Sequence, residues 1–202
     1  MRCSHAVDEK RLLRMGVCTA RASRPAVDRA ADGARLASYA ADLIALATAT
    51  EKGETPTIAA YAGVAEEPPT RDLLDALIAQ GATVLLPVVT GPDEPLDWAR
   101  YDGWDALTDA KWGLREPTTQ RLGPTAVDDA DLVVVPALAV DDDGHRLGRG
   151  RGFYDRSLAN VDVRRRVAVV YATELLTDIP SEPHDQRVGW ALTPDGLTRL
   201  AQ

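Results

Sequence analysis

The period of apolar residues along this chain changes repeatedly, and each change marks a helix or a strand. Asp8 to about Ala22 reads as a helix with Leu12, Leu13 and Met15 near one face. Pro25 opens a second helix to about Ala49, where Leu36, Tyr39, Ala40, Leu43 and Leu46 recur at helical spacing and Gly53 and Pro56 end the run. Thr57–Tyr61 is a buried strand. Pro68 and Pro69 start a helix through Leu73, Leu74 and Leu77, with Gly81 as its C-cap. Strands follow at Thr83–Val88, Leu96–Tyr101, Asp131–Val135, Arg166–Tyr171 and Val188–Leu192. A helix starts at Phe153 and runs to Ala159, and Pro194–Leu200 reads as a closing helix.

Several of these strands are apolar at every position, without alternation. Strands of that kind are covered on both faces, and strands separated by helices form a mostly parallel sheet. The predicted fold class is therefore α/β, a mostly parallel sheet sandwiched by helices, with residues 1–202 as one domain. Ligands on such sheets collect beyond the C-terminal ends of the strands. The segment just after the Val133–Val135 strand is the place to look.

That segment carries the strongest chemical signal. From Arg146 to Arg156, three glycines (Gly148, Gly150, Gly152) alternate with arginines, and Phe153, Tyr154 and Asp155 follow. Glycines let backbone N–H groups approach a ligand, and arginine forks suit phosphate. Asp155 beside this cradle is suited to Mg²⁺ on a bound polyphosphate. The stretch has four arginines against one aspartate in a chain of net charge −8. A cationic island on an acidic protein points to a small anion and argues against nucleic acid or an anionic membrane as partner. No apolar run reaches membrane-spanning length and no secretion signal opens the chain. Cys3 and Cys18 make no disulfide framework and no zinc spacing, which fits a cytoplasmic compartment. With one Phe in 202 residues, the core must be built from Ala, Leu and Val.

Arg146-Leu147-Gly148, the glycines at alternate positions and the aromatic-Tyr154-Asp155 run resemble the signature of the 5-formyltetrahydrofolate cyclo-ligase (5,10-methenyltetrahydrofolate synthetase) family. Phe153 stands where a second tyrosine is common. The resemblance runs from Lys10 to about Thr193. It implies an α/β domain of the NagB/ribose-phosphate isomerase (RpiA)/CoA-transferase-like type, and ATP and Mg²⁺ as co-substrate and metal. Lys10-Arg11-Leu12-Leu13-Arg14 matches the family's opening helix, which implies that Lys10, Arg11 and Arg14 meet the nucleotide with Arg146 to Tyr154 (Leu147 included). By spacing alone, Lys10 and Arg14 share a face that reads as solvated. Glu67 before Pro68-Pro69-Thr70 reads locally as a helix-start carboxylate. The resemblance implies that it contacts folate, with Ala62, Trp112 and the Gly148–Gly152 loop around the same substrate. Asp185, after Pro183-His184, is implied as a second carboxylate for Mg²⁺ beside Asp155. His184 reads as a turn residue, and His5 and His145 show no partner in the sequence. Glu174 departs from the family, where Gln is common.

The implied reaction is the ATP-dependent cyclisation of 5-formyltetrahydrofolate through a phosphorylated formyl oxygen, with Arg146, Arg149 and Tyr154 as catalytic residues in a monomer. Two other classes stay open: a non-catalytic folate or nucleotide binder, and a sugar-phosphate isomerase or CoA-transferase-like enzyme on the same fold. Arg115, Arg121 and Arg187 are equal candidates for a polyglutamate tail.

Overall fold

The computed structural model describes residues 2–49 and 55–201, with side chains from residue 7 onward; Gly53 lies outside them. Its centre is a seven-stranded sheet. Five parallel strands form the middle: β1 (Thr57–Ala59), β2 (Thr83–Val88), β6 (Leu132–Pro136), β9 (Arg166–Val169) and β11 (Trp190–Thr193). Antiparallel strands β3 (Asp97–Arg100) and β12 (Gly196–Arg199) close the two edges. The mostly parallel α/β class expected from the apolar strands is the one observed.

The two sides of each strand enter different cores. Ile58, Val84, Leu86, Leu132, Val134, Val167, Val169 and Leu192 face one layer, where helices α2 (Ala26–Ser38), α3 (Ala40–Thr48) and α4 (Arg71–Ala79) supply Leu36, Leu43, Leu73, Leu74 and Leu77. Ala59, Leu85, Val133, Val135, Ala168 and Ala191 face the other layer, packed by Val127, Leu158, Val161 and Val188. Burying both faces is what removed the period-two signal from these strands. Each fully buried Leu or Val contributes about 1.5–3 kcal/mol.

A second, three-stranded sheet holds β7 (Ala139–Asp141), β8 (Arg146–Leu147) and β10 (Leu175–Leu176), in the order β10-β7-β8. Helix α1 (Arg2–Ala22) packs Leu13 and Val17 on its Leu138, Ala139, Leu147 and Ile179. A separate hairpin pairs β4 (Leu107–Asp109) with β5 (Arg115–Pro117). No described helix is long and apolar enough to cross a membrane.

Four readings need correction. Pro194–Leu200 is not a helix: residues 196–199 form β12, because Thr193 to Asp195 turn tightly and the chain pairs back along β11. The predicted helix from Pro25 to Ala49 breaks at Tyr39, so that α2 and α3 pack against the sheet separately. In α1, Leu12 and Met15 are exposed. The inward stripe is instead Lys10, Leu13, Arg14, Val17 and Arg21, spaced as one helical face. Three of those five are basic, which is why hydrophobicity alone misplaced the face. The helix at Phe153 is also shorter than predicted, ending at Ser157 (α5, Phe153–Ser157).

Candidate active site

A cavity of about 290 Å³ opens at the C-terminal ends of β1, β2 and β6. Tyr61 and Ala62 follow β1, Val89 follows β2, and Ala137 and Leu138 follow β6; all line it. The Gly148–Gly152 loop covers it together with Arg146, Phe153, Tyr154 and Asp155, and Glu67 and Trp112 complete the wall.

The loop is launched by a hairpin built around Asp141. This buried carboxylate accepts from the backbone N–H groups of Asp143 and His145 through Oδ1. Its Oδ2 accepts from Ile179 N and lies 2.9 Å from His145 Nδ1. His145, partnerless in the sequence, thus has a structural partner four residues away. The turn delivers Arg146 into β8, buried, where Nη2 donates to Asp155 Oδ1 at 2.7 Å and the guanidinium lies 5.6 Å from the Tyr154 ring centre. Asp155 Oδ1 also accepts from Gln186 N at 3.2 Å. Gly150 and Gly152 have φ of +87° and +69°, a left-handed backbone that side chains disfavour. Helix α5 is only five residues long. Its dipole is correspondingly short, so the cationic character comes from the arginines.

Glu67 shares the cavity wall with two other carboxylates, Glu116 and Asp155. Its Oε1 accepts from Arg149 Nε at 3.0 Å and its Oε2 from Val64 N at 3.2 Å. Burial first, and the Glu67 charge second, push the Tyr61 and Tyr154 hydroxyls well above the ordinary tyrosine range. Both are therefore neutral donors at physiological pH. The Tyr61 hydroxyl and Arg146 Nε are buried without a hydrogen-bond partner among the described residues. Unpaired polar atoms on a cavity wall are expected where a ligand completes them.

Trp112 stands at the rim, half exposed, with the Arg151 guanidinium 4.4 Å from its ring centre and Phe153 at 6.0 Å. Its φ of 61° is left-handed, a conformation worth about 1–3 kcal/mol of strain for a bulky residue.

The remaining predicted residues stand outside the cavity wall. Arg14 Nε donates to Gly148 O at 2.9 Å and so touches the loop. Lys10 is buried and donates to Asp185 Oδ2 at 2.6 Å and Glu182 Oε2 at 3.1 Å. Burial alone would raise the Asp185 carboxyl, but the Lys10 hydrogen bond and charge outweigh it and hold Asp185 below the usual range. Arg11 is exposed and faces Asp8. Leu147 is buried in the small core under α1. His184 is exposed beside Glu182 and Asp185. Glu174 has its own partner: Arg21 grips both carboxylate oxygens at 2.7 Å and donates to Ala137 O, all of it buried. Sequence reasoning missed Arg21, Tyr61 and Glu116, which line the cavity; Arg115, one of the three tail candidates, lines it too, and Arg121 and Arg187 do not. Only Tyr61 carried a signal, being the last apolar residue of its predicted strand.

Comparison with known proteins places the chain in a family. A family model described as the 5-formyltetrahydrofolate cyclo-ligase family matches residues 6–194. The 5-formyltetrahydrofolate cyclo-ligase of Mycolicibacterium smegmatis is 47% identical over 143 residues, covering 68% of this chain and 73% of the relative. The NMR structure of Aquifex aeolicus 5,10-methenyltetrahydrofolate synthetase superposes with a TM-score of 0.71 at 26% identity, covering 96% of this chain and 93% of that one. A Mycoplasma pneumoniae 5,10-methenyltetrahydrofolate synthetase shares the fold at TM-score 0.65 and 18% identity, with 91% and 97% covered.

Proposed function

This chain belongs to the 5-formyltetrahydrofolate cyclo-ligase family, and on that premise we propose that it cyclises 5-formyltetrahydrofolate to 5,10-methenyltetrahydrofolate, with ATP converted to ADP and phosphate, the whole chain acting as one domain. The observation that carries the reading is the arginine-rich glycine loop closing a cavity that also holds Glu67, Trp112 and the neutral Tyr154. Arginine and amide donors suited to phosphate meet apolar side chains there.

The chemical problem is a formamide whose carbon is a weak electrophile and whose oxygen leaves poorly. Transfer of the terminal phosphoryl group to that oxygen makes an imidate phosphate. The neighbouring bridge nitrogen then attacks the carbon, the ring closes and phosphate departs. Such a reaction asks the protein mainly for positioning and charge neutralisation. Arg146, Arg149 and Arg151, with the loop amides, take the triphosphate. Arg14 braces the loop through Gly148 O, and Lys10 lies behind it. Tyr154, held protonated, donates to the formyl or phosphoryl oxygen. Glu67 accepts from N–H groups of the pterin, and Trp112 stacks on its flat rings.

Asp155 suits a divalent cation. Its contacts with Arg146 and Gln186 fall on Oδ1, and among the described residues Oδ2 has no partner. Asp185 is the second carboxylate, already ordered by Lys10 and Glu182 N. Mg²⁺ held by these hard oxygens would offset charge on the nucleotide. Arg11, turned to Asp8 on the exposed side, has no part in this reading.

The test is direct. Incubated with 5-formyltetrahydrofolate and Mg-ATP, the purified chain should produce the near-ultraviolet absorbance of the methenyl product, and only when ATP is present. Tight folate binding with no product band would make the chain a binder and overturn the proposal.

A further inference from the structure

Two of the arginines assigned to the triphosphate have partners in this structure, and both partners belong to the folate half of the cavity. Arg149 donates through Nε to Glu67 Oε1 at 3.0 Å. Arg151 lies over the Trp112 ring, its guanidinium carbon 4.4 Å from the ring centre. All four residues line the same cavity. Both arginines are exposed, on a loop whose Gly150 and Gly152 hold positive φ. Among the described residues, neither guanidinium has a second hydrogen-bonded or ion-paired partner.

These contacts mask the folate groups. Glu67 has both carboxylate oxygens in use, Oε1 by Arg149 and Oε2 by Val64 N at 3.2 Å. A carboxylate whose charge is met by a guanidinium is a weaker acceptor for the N–H groups of a pterin. A ring face covered by a guanidinium has no room for a second flat ring at stacking distance. Phe153 approaches the same indole at 6.0 Å, tilted by 44°, from the same loop. A triphosphate carries several negative charges where Glu67 carries one, and it offers paired oxygens to each arginine fork. The contacts it must replace are exposed on the arginine side and correspondingly weak.

We propose that the cavity couples its two ligands by partner exchange: the nucleotide draws Arg149 and Arg151 onto its phosphates and thereby uncovers Glu67 and Trp112 for the folate. This rests on the proposed function, which assigns the arginines to phosphate and Glu67 and Trp112 to folate. Each ligand then raises the affinity of the other by the same factor. The exchange releases one ion pair and one exposed cation–π contact, which sets the coupling at about 3- to 30-fold.

The test is calorimetric. Binding of 5-formyltetrahydrofolate is measured on the wild-type chain alone and with saturating Mg²⁺ and the β,γ-imido analogue of ATP, which cannot transfer its phosphoryl group. The folate Kd should fall about 3- to 30-fold when the analogue is present. In the Arg149→Ala/Arg151→Ala double variant, folate should bind more tightly than to wild type with no nucleotide, and the analogue should no longer change its Kd. Arginines that merely support the fold or touch the folate give the opposite sign, weaker folate binding with no nucleotide, and that result overturns the inference. So does a wild-type folate Kd that is the same with and without the analogue. The analogue alone should change the tryptophan fluorescence of wild type and not that of Trp112→Phe, as Arg151 leaves the indole; an equal change in both overturns the exchange at Trp112. Turnover with uncoupled binding would overturn the coupling and leave the proposed function standing. Coupled binding without turnover would do the reverse, and binding of neither ligand overturns both.

Discussion

Arg146 and Asp155 form a 2.7 Å ion pair nine residues apart, across the glycine loop. The pair ties the start of the loop to the helix that follows it, so the loop's shape and its charge depend on the same contact. Arg146→Ala should lower kcat by about 100- to 1000-fold, as for loss of a donor to developing negative charge. Asp155→Asn keeps the shape and removes the carboxylate charge. Steady-state assays should show that it weakens the response to added Mg²⁺ more than binding of folate. Wild-type kinetics in both variants would remove the loop from the mechanism.

Glu174 should matter for stability first. Arg21 is buried and its charge is met by Glu174. Glu174→Ala leaves that cation unpaired, a loss of about 3–5 kcal/mol for a buried pair broken from one side. For a chain of this size the thermal midpoint should fall on the order of 10 °C. Glu174→Gln should fall less. Scanning calorimetry checks both.

Acid should loosen α1. Asp185 titrates below the usual carboxylate range because Lys10 donates to it. A depressed folded pKa contributes stability that is present above the ordinary Asp value of about 3.9 and lost as pH falls through the folded value. The protection of the α1 amides, corrected for the intrinsic pH dependence of exchange, should therefore fall below about pH 4. Lys10→Met should abolish that dependence.

Tyr154 should resist ionisation. Burial and Glu67 both oppose the phenolate. Ultraviolet titration should show its phenolate appearing only above the ordinary tyrosine range, and Tyr154→Phe should remove one slow-titrating group. If Tyr154 acts as a neutral donor, turnover in Tyr154→Phe should drop about tenfold or more.

Gly63 should not accept a side chain. A Cβ there would meet Pro68 O at 2.5 Å. Gly63 N also donates to Thr70 Oγ1 at 2.8 Å, so the loop has little room to shift. Gly63→Ala should cost about 1–3 kcal/mol of stability. It should also raise the KM for folate by displacing Glu67, an effect that kinetics at fixed ATP would show.

What the linear chain determined is the part written in local chemistry. Unbroken apolar strands such as Leu132–Val135 demanded cover on both faces, and so a mostly parallel sheet. The alternation of glycine and arginine from Arg146 marked a bend built for an anion. Tertiary structure decided who meets whom. Lys10 and Asp185 are 175 positions apart, Arg21 and Glu174 153, and Arg149 and Glu67 82. A charge on one segment bears no mark of its distant partner, so α1 looked solvated on the face that is in fact buried. The terminal segment became a strand because the edge of β11 offered hydrogen bonds to it. Long-range pairing energy, absent from any local pattern, settled both.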